Sequence, residues 1–176
     1  MEPAISPDHP DRQQSQYLTF VVGEVEYGIG ILRAKEIIEY DTITAVPNAP
    51  PFVRGVINLR GRVVSVVDLA VRFGREPAEV TRRSCIVVVE VVREGGRDVV
   101  GIVADRVSQV VELPPEAIEP APAFGSGVRT DWLIGLGHVD KHFVLLLDTD
   151  RMLSVWDEGL EKEAEEEAAL AEMAGA

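Results

Sequence analysis

Apolar positions along the chain fall in runs of about five to eight residues punctuated by Gly, Pro and Asp. The runs are YLTFVV (17–22), VEYGIGIL (25–32), VINL (56–59), RVVSVVD (62–68), CIVVVEVV (85–92), DVVGIVADRV (98–107), WLIGLGHV (132–139) and HFVLLLD (142–148). Their length and β-branched content predict a mainly β protein of about ten short strands. Residues 33–40 (RAKEIIEY) fit neither the helical nor the strand period cleanly and read as a turn followed by a strand. Runs such as VVSVV are apolar on both faces, as expected when one face fills a barrel and the other is covered. Residues 1–16 hold three prolines and almost no periodic apolar signal, and read as a mobile lead-in.

The strongest organising signal is an internal repeat. A shift of 73 residues lays 27–40 on 100–113, matching Gly28 with Gly101, Ile29 with Ile102, Arg33 with Arg106 and Glu39 with Glu112, and then Pro47 with Pro120. A shift of 80 lays 52–73 on 132–153, matching Gly55 with Gly135 and Asp68 with Asp148. The seven-residue difference falls in the Gly-rich stretch Phe124 to Asp131, where a loop absorbs it. Two small closed five-stranded barrels, packed together, follow from the duplication. The expected division is 17–82 for the first barrel, 83–156 for the second and 157–176 for an acidic helical tail, with the joint near Arg75 to Arg83.

Composition and charge narrow the function. The 176 residues carry a net charge of −13, which repels phosphate and argues against nucleic acid as a partner. The tail from Asp157 holds eight acids and one lysine, so it accounts for −7 of that charge. No apolar run reaches the roughly 18 to 20 residues of a membrane helix, and the acidic, proline-broken start is unlike a signal peptide. A cytoplasmic chain without membrane insertion is expected. Lone Cys85 lies inside an apolar run and reads as a small buried hydrophobe.

Candidate chemistry is sparse. Asp68 and Asp148 suggest a carboxylate pair, but each ends a strand just before a short helical segment, where an aspartate caps backbone N–H groups. A two-residue turn at Asp140 and Lys141 pairs His138 with Phe143 and Val139 with His142, placing the imidazoles on opposite faces, away from any shared metal. YGIGIL lacks the third glycine and the helix of a dinucleotide fingerprint. No catalytic set, cofactor site or metal site is expected. The hairpin tips of the two copies differ. Asn58 to Gly61 (NLRG) suits a type I turn that leaves Arg60 at an exposed corner, with Glu36 the nearest counter-charge in the same copy. Phe124, in a loop outside any strand pattern, is a second candidate contact.

These residues also carry a resemblance. F-x-x-G-x-x-x-Y-G-I (20–29), K-E-I-I (35–38), the block VPNAPPFVRGVINLRGRVVSVVDL (46–69), VGIVADRV (100–107) and IGLG (134–137) together resemble the CheW-like chemotaxis coupling family, over about residues 16 to 156. The resemblance implies two SH3-like barrels, with the first strand shared between them. It also implies a non-enzymatic adaptor linking the cytoplasmic tips of methyl-accepting chemoreceptors to the regulatory domain of the histidine kinase CheA, recruited to membrane-associated arrays. By similarity, Glu36 and Arg60 match receptor-groove charges, and Ile86, Val107 and Val110 match apolar positions of that groove. Gly55, Phe124 and Gly135 match positions of kinase or ring contact. Ala34 stands where the family often has a bulkier apolar residue. An interaction module of a surface-motility type array is the competing reading.

Overall fold

The computed structural model describes residues 15–93, 96–122 and 130–153. Eleven strands are present among them: β1 (Gln16–Val22), β2 (Val25–Gly30), β3 (Ala34–Glu39), β4 (Val53–Leu59), β5 (Arg62–Val67), β6 (Cys85–Arg93), β7 (Gly96–Ala104), β8 (Arg106–Glu112), β9 (Ile118–Glu119), β10 (Leu133–Val139) and β11 (His142–Leu147). A one-turn helix α1 (Leu69–Arg72) follows β5, and a helical turn at 149–153 follows β11. The ambiguous segment at 33–40 is a turn leading into β3, as expected.

The strands form two sheets, one ordered β8-β1-β2-β11-β10-β9 and the other β3-β6-β7-β5-β4. Each curls onto itself. The segment after β3 bridges back to β4 at Thr44 and Val56, and β9, after β8, pairs with β10. The duplication is visible in the order itself, since β8, β1, β2, β11 and β10 stand in one sheet where β3, β6, β7, β5 and β4 stand in the other. The parallel pairings agree residue by residue: Gly28 faces Leu146 across β2 and β11, and their counterparts Gly101 and Val66 face each other across β7 and β5.

The sequential division at residue 82 does not describe the sheets. The β1–β2 hairpin of the first copy completes the sheet built from the second, while β6 and β7 of the second complete the sheet built from β3, β4 and β5. The copies exchange hairpins, and the three residues Ile31 to Arg33 carry the chain from one sheet to the other. Repeats with matching strand patterns hide such an exchange, because pairing within a copy and pairing between copies satisfy the same apolar pattern.

Three apolar clusters result. Tyr17, Leu113, Val139, Val144 and Leu146 fill the six-stranded barrel. Val66, Ile86, Val88 and Val103 fill the five-stranded one. The largest cluster lies between them and takes the opposite faces of the same strands, including Phe20, Tyr27 and Ile29 with Val87, Val89, Val100 and Ile102. Doubly apolar runs therefore serve two cores at once.

Polar groups fasten the joint. Asp68, fully buried, accepts from Ala70 N at 3.0 Å and from Ala78 N at 2.9 Å, and receives Arg54 at 2.9 Å. It caps α1 as expected and also ties down the stretch Arg75 to Arg83, where the joint between copies is expected. Asp148 caps the turn at 149–153 through Arg151 N at 3.1 Å. The Arg72 guanidinium lies over the rings of Phe52 (4.4 Å) and Trp132 (4.1 Å), which are equivalent under the 80-residue shift, and donates to the Met152 carbonyl at 3.0 Å. This cation joins the two copies close to their pseudo-twofold relation.

Gly55 and Gly135 mark irregular pairing at equivalent points of β4 and β10. A Cβ on Gly55, whose φ is +148°, would stand 2.2 Å from the Thr44 carbonyl oxygen, and one on Gly135 would stand 2.6 Å from that of Glu119. Both glycines let the closing segment reach its barrel. Gly55→Ala is expected to lower unfolding free energy by about 2 kcal/mol or more, and Gly135→Ala by less, since Gly55 adds a left-handed backbone to the clash. Urea denaturation measures both, and wild-type midpoints would refute this account.

Candidate functional site

The β4–β5 hairpin closes with a two-residue turn, since Leu59 pairs with Arg62. Arg60 (φ 52°) and Gly61 (φ 84°) are both left-handed, so the turn is of the mirror-image kind that matches strand twist, not the expected type I. The Asn58 side chain accepts from Gly61 N at 2.9 Å and steadies the tip. A left-handed conformation costs a non-glycine residue roughly 1 to 2 kcal/mol. Arg60 occupies it nonetheless, with its side chain 73% exposed.

That side chain reaches across the barrel mouth to Glu36 on β3, donating to the two carboxylate oxygens at 2.5 and 3.0 Å. Glu36 is 26% exposed, so the pair lies at the rim. The hydrogen bonds from Arg60 hold the Glu36 carboxyl below the usual range, against a small opposing effect of burial. Reciprocally, the bonds to Glu36 raise Arg60. The other barrel provides an internal control. Its equivalent positions, by the shifts of 73 and 80, are Gln109 and Asp140, which cannot form an ion pair. That barrel closes without one, so barrel closure does not require the Glu36–Arg60 pair.

The remaining candidates separate. Ile86 departs from expectation: it is fully buried in the interior of the five-stranded barrel, opposite Ile38 and Val103, and lines no groove. Its alternation with Val87, which faces the inter-barrel core, fixes this placement. Val107 is half-buried against that core, and Val110 is exposed, both on the outermost strand β8. Their counterparts under the 73-residue shift, Ala34 and Ile37, lie on β3, the outermost strand of the other sheet, paired with the core residues Val89 and Val87. Ile37 is 48% exposed and is absent from the candidates above, although the repeat places it on Val110. Gly55 and Gly135 are accounted for by the backbone contacts above. Phe124 lies outside the described residues, as does the tail at 157–176 that is expected to be helical.

The alternative chemistries find little support. Cys85 is half-buried, and burial, then the charge of Asp105, push its thiol up, away from thiolate reactivity. His138 packs edge-on to Phe143, ring centres 5.0 Å apart, whereas His142 Nε2 lies 2.9 Å from Glu26 Oε1. The strand register is the expected one, and the two imidazoles have different neighbours. Among the described residues no cluster of three His, Cys, Asp or Glu could hold a metal ion, and no helix is long and apolar enough to cross a membrane.

Comparison with known proteins agrees with this architecture. The family model described as a CheW-like domain matches residues 16–155. The chemotaxis protein CheW of Klebsiella aerogenes is 40% identical over 139 residues, covering 79% of this chain and 81% of that protein. Protein FrzA of Myxococcus xanthus is 28% identical over 125 residues, 71% of this chain and 75% of that one. The crystal structure of the scaffolding protein TtCheW from Thermoanaerobacter tengcongensis superposes with a TM-score of 0.72 at 27% identity, over 85% of this chain and 93% of that one.

Because Arg60 holds Glu36 ionised, the pair stabilises the fold above the ordinary glutamate range, and its contribution disappears as pH falls through the depressed Glu36 value. In Arg60→Ala the Glu36 carboxyl should return to the ordinary range, as read by NMR titration of its side-chain carbon. An unchanged titration would mean that the two do not interact in solution.

Proposed function

This chain belongs to the CheW-like domain family, and on that premise we propose that it is the adaptor that couples chemoreceptor cytoplasmic tips to the histidine kinase CheA in a chemotaxis array. Members of the family are scaffolding and adaptor proteins, not enzymes. The observation that carries the finer reading is the exposed Glu36–Arg60 pair, which sits on one barrel and has no counterpart on the other. An exposed ion pair that folding does not demand, presented at a rigid hairpin corner, is suited to recognition.

A receptor tip is a helical hairpin. A helix laid against the outer strands would bury the half-exposed aliphatic side chains Val107, Val110 and Ile37, while the two charges of the pair fix its register. Ile86 contributes from beneath, by keeping the barrel wall in place. The kinase side would use the strand ends around Gly55 and Gly135 with the Phe124 loop. Nothing in this scheme transfers a group or an electron. Each contact is modest, and avidity across an array, to which the protein is recruited at the membrane, supplies the rest. The similarity to FrzA favours the second reading, a module of a surface-motility type array, at lower identity than the match to the Klebsiella protein.

Two variants test the adaptor reading. Arg60→Glu should weaken capture of a receptor cytoplasmic fragment by roughly tenfold or more in a pull-down or titration, with the thermal midpoint nearly unchanged, since an exposed pair adds little to stability. Arg60→Glu combined with Glu36→Arg should restore the internal pair but not the capture. Wild-type capture by both variants, or failure of the wild-type chain to bind either the receptor fragment or CheA, would end it.

A further inference from the structure

Beside the link that carries the chain from β2 to β3 there is an open cleft of about 660 Å³, bounded on one side by the helical turn at 149–153. Three exposed aliphatic side chains from separate elements line it: Leu32 (48%) in the link, Val92 (43%) on β6 and Ile134 (51%) on β10. Its back is sealed by Arg33, which donates to both Asp150 oxygens at 3.0 and 2.7 Å, and by Val92 N, which also donates to Asp150. Along another wall Lys35 and Arg97 both approach Glu90, at 3.4 and 3.5 Å. Two cations thus share one carboxylate, on a chain of net charge −13.

The lining balances Arg33, Lys35 and Arg97 against Glu90, Asp148 and Asp150, with Lys35 and Arg97 gathered on the wall away from the Arg33–Asp150 pair. An occupant therefore fits that covers the apolar side chains and brings carboxylates to that one wall, and such a segment is attached beside it. Thr149 and Asp150 line the cleft, the described residues end at Leu153, and the sequence continues with Val155 and Trp156 and then with five carboxylates from Glu161 to Glu167. Trp156 lies six residues beyond Asp150, a span of at most about 20 Å even when extended. Tethering at that distance raises the local concentration of the segment to the order of millimolar, so weak contacts suffice. We propose that the C-terminal segment, residues 154–176, seats on this cleft, with Val155 and Trp156 against Leu32, Val92 and Ile134 and the glutamates facing Lys35 and Arg97. Lys35 adjoins Glu36 on β3, so the seated segment lies next to the pair assigned to receptor capture, but the seating does not rest on that assignment.

The lysine content makes a direct test possible. The chain has three lysines, Lys35, Lys141 and Lys162, and a water-soluble carbodiimide joins a lysine amine to a carboxylate only where the two touch. Treating the full-length protein at low micromolar concentration and mapping the products by mass spectrometry should yield Lys35 linked to Glu161–Glu167 several-fold more often than Lys141 linked to the same residues. Leu32→Asp combined with Ile134→Asp should cut the Lys35 yield several-fold while leaving the Lys35–Glu90 link, which reports an intact fold. Lys35 linked only to Glu90, or Lys35 and Lys141 linked equally, would overturn the proposal. So would links that join isotope-labelled to unlabelled chains in a mixture, because a second copy would then be the occupant.

Discussion

The fold depends on strands that are buried on both faces. β1, β6, β7 and β11 each turn alternate side chains into a barrel and toward the opposing sheet, so the same short runs supply a barrel interior and the core between the barrels. Exchange of the β1–β2 hairpin between copies makes this arrangement a single cooperative unit, because neither sheet is complete without strands from the other half of the sequence. The joint between the barrels holds the largest cluster of buried apolar side chains, so at about 25 cal/mol per Å² of apolar surface removed from water it is a substantial source of stability, not an accessory contact. Buried Asp68 and the Arg72 guanidinium fix its geometry where apolar packing alone has no direction.

Symmetry then separates structure from recognition. Residues retained in both copies, such as Gly55 with Gly135 and Asp68 with Asp148, are explained by backbone approach and helix capping. The residues that differ at the hairpin tips are free of those duties. Glu36 and Arg60 stand where the other copy has Gln109 and Asp140, so their rim ion pair is one that folding can omit. Asymmetry on a symmetric frame gives an adaptor two distinct sides.

Much of this was legible in the sequence, and the failures share a cause. Strand positions, the duplication and the His138–Phe143 register followed from local pattern, because side-chain alternation and turn length are local quantities. The chain division failed because exchange is decided by which copy a hairpin joins, and near-identical apolar strands satisfy either choice. The type I expectation at Asn58–Gly61 rests on composition alone, whereas strand twist rewards left-handed Arg60 and Gly61. Ile86, matched to a groove position by similarity alone, lies inside the five-stranded barrel, and in a run apolar on both faces composition does not say which side is out.

Hairpin exchange also sets a timetable for synthesis. The five-stranded barrel draws on a contiguous stretch, β3 to β7, and has all its strands once Ala104 has left the ribosome. β1 and β2, made first, must wait for β8 and for β11, whose Leu145 and Leu146 pair with Tyr27 and Gly28. The earliest-made hairpin is therefore among the last to be fully paired, and until then its Phe20 and Ile29 rely on transient shelter, an interval in which chaperones or a neighbouring nascent chain compete for the same surface.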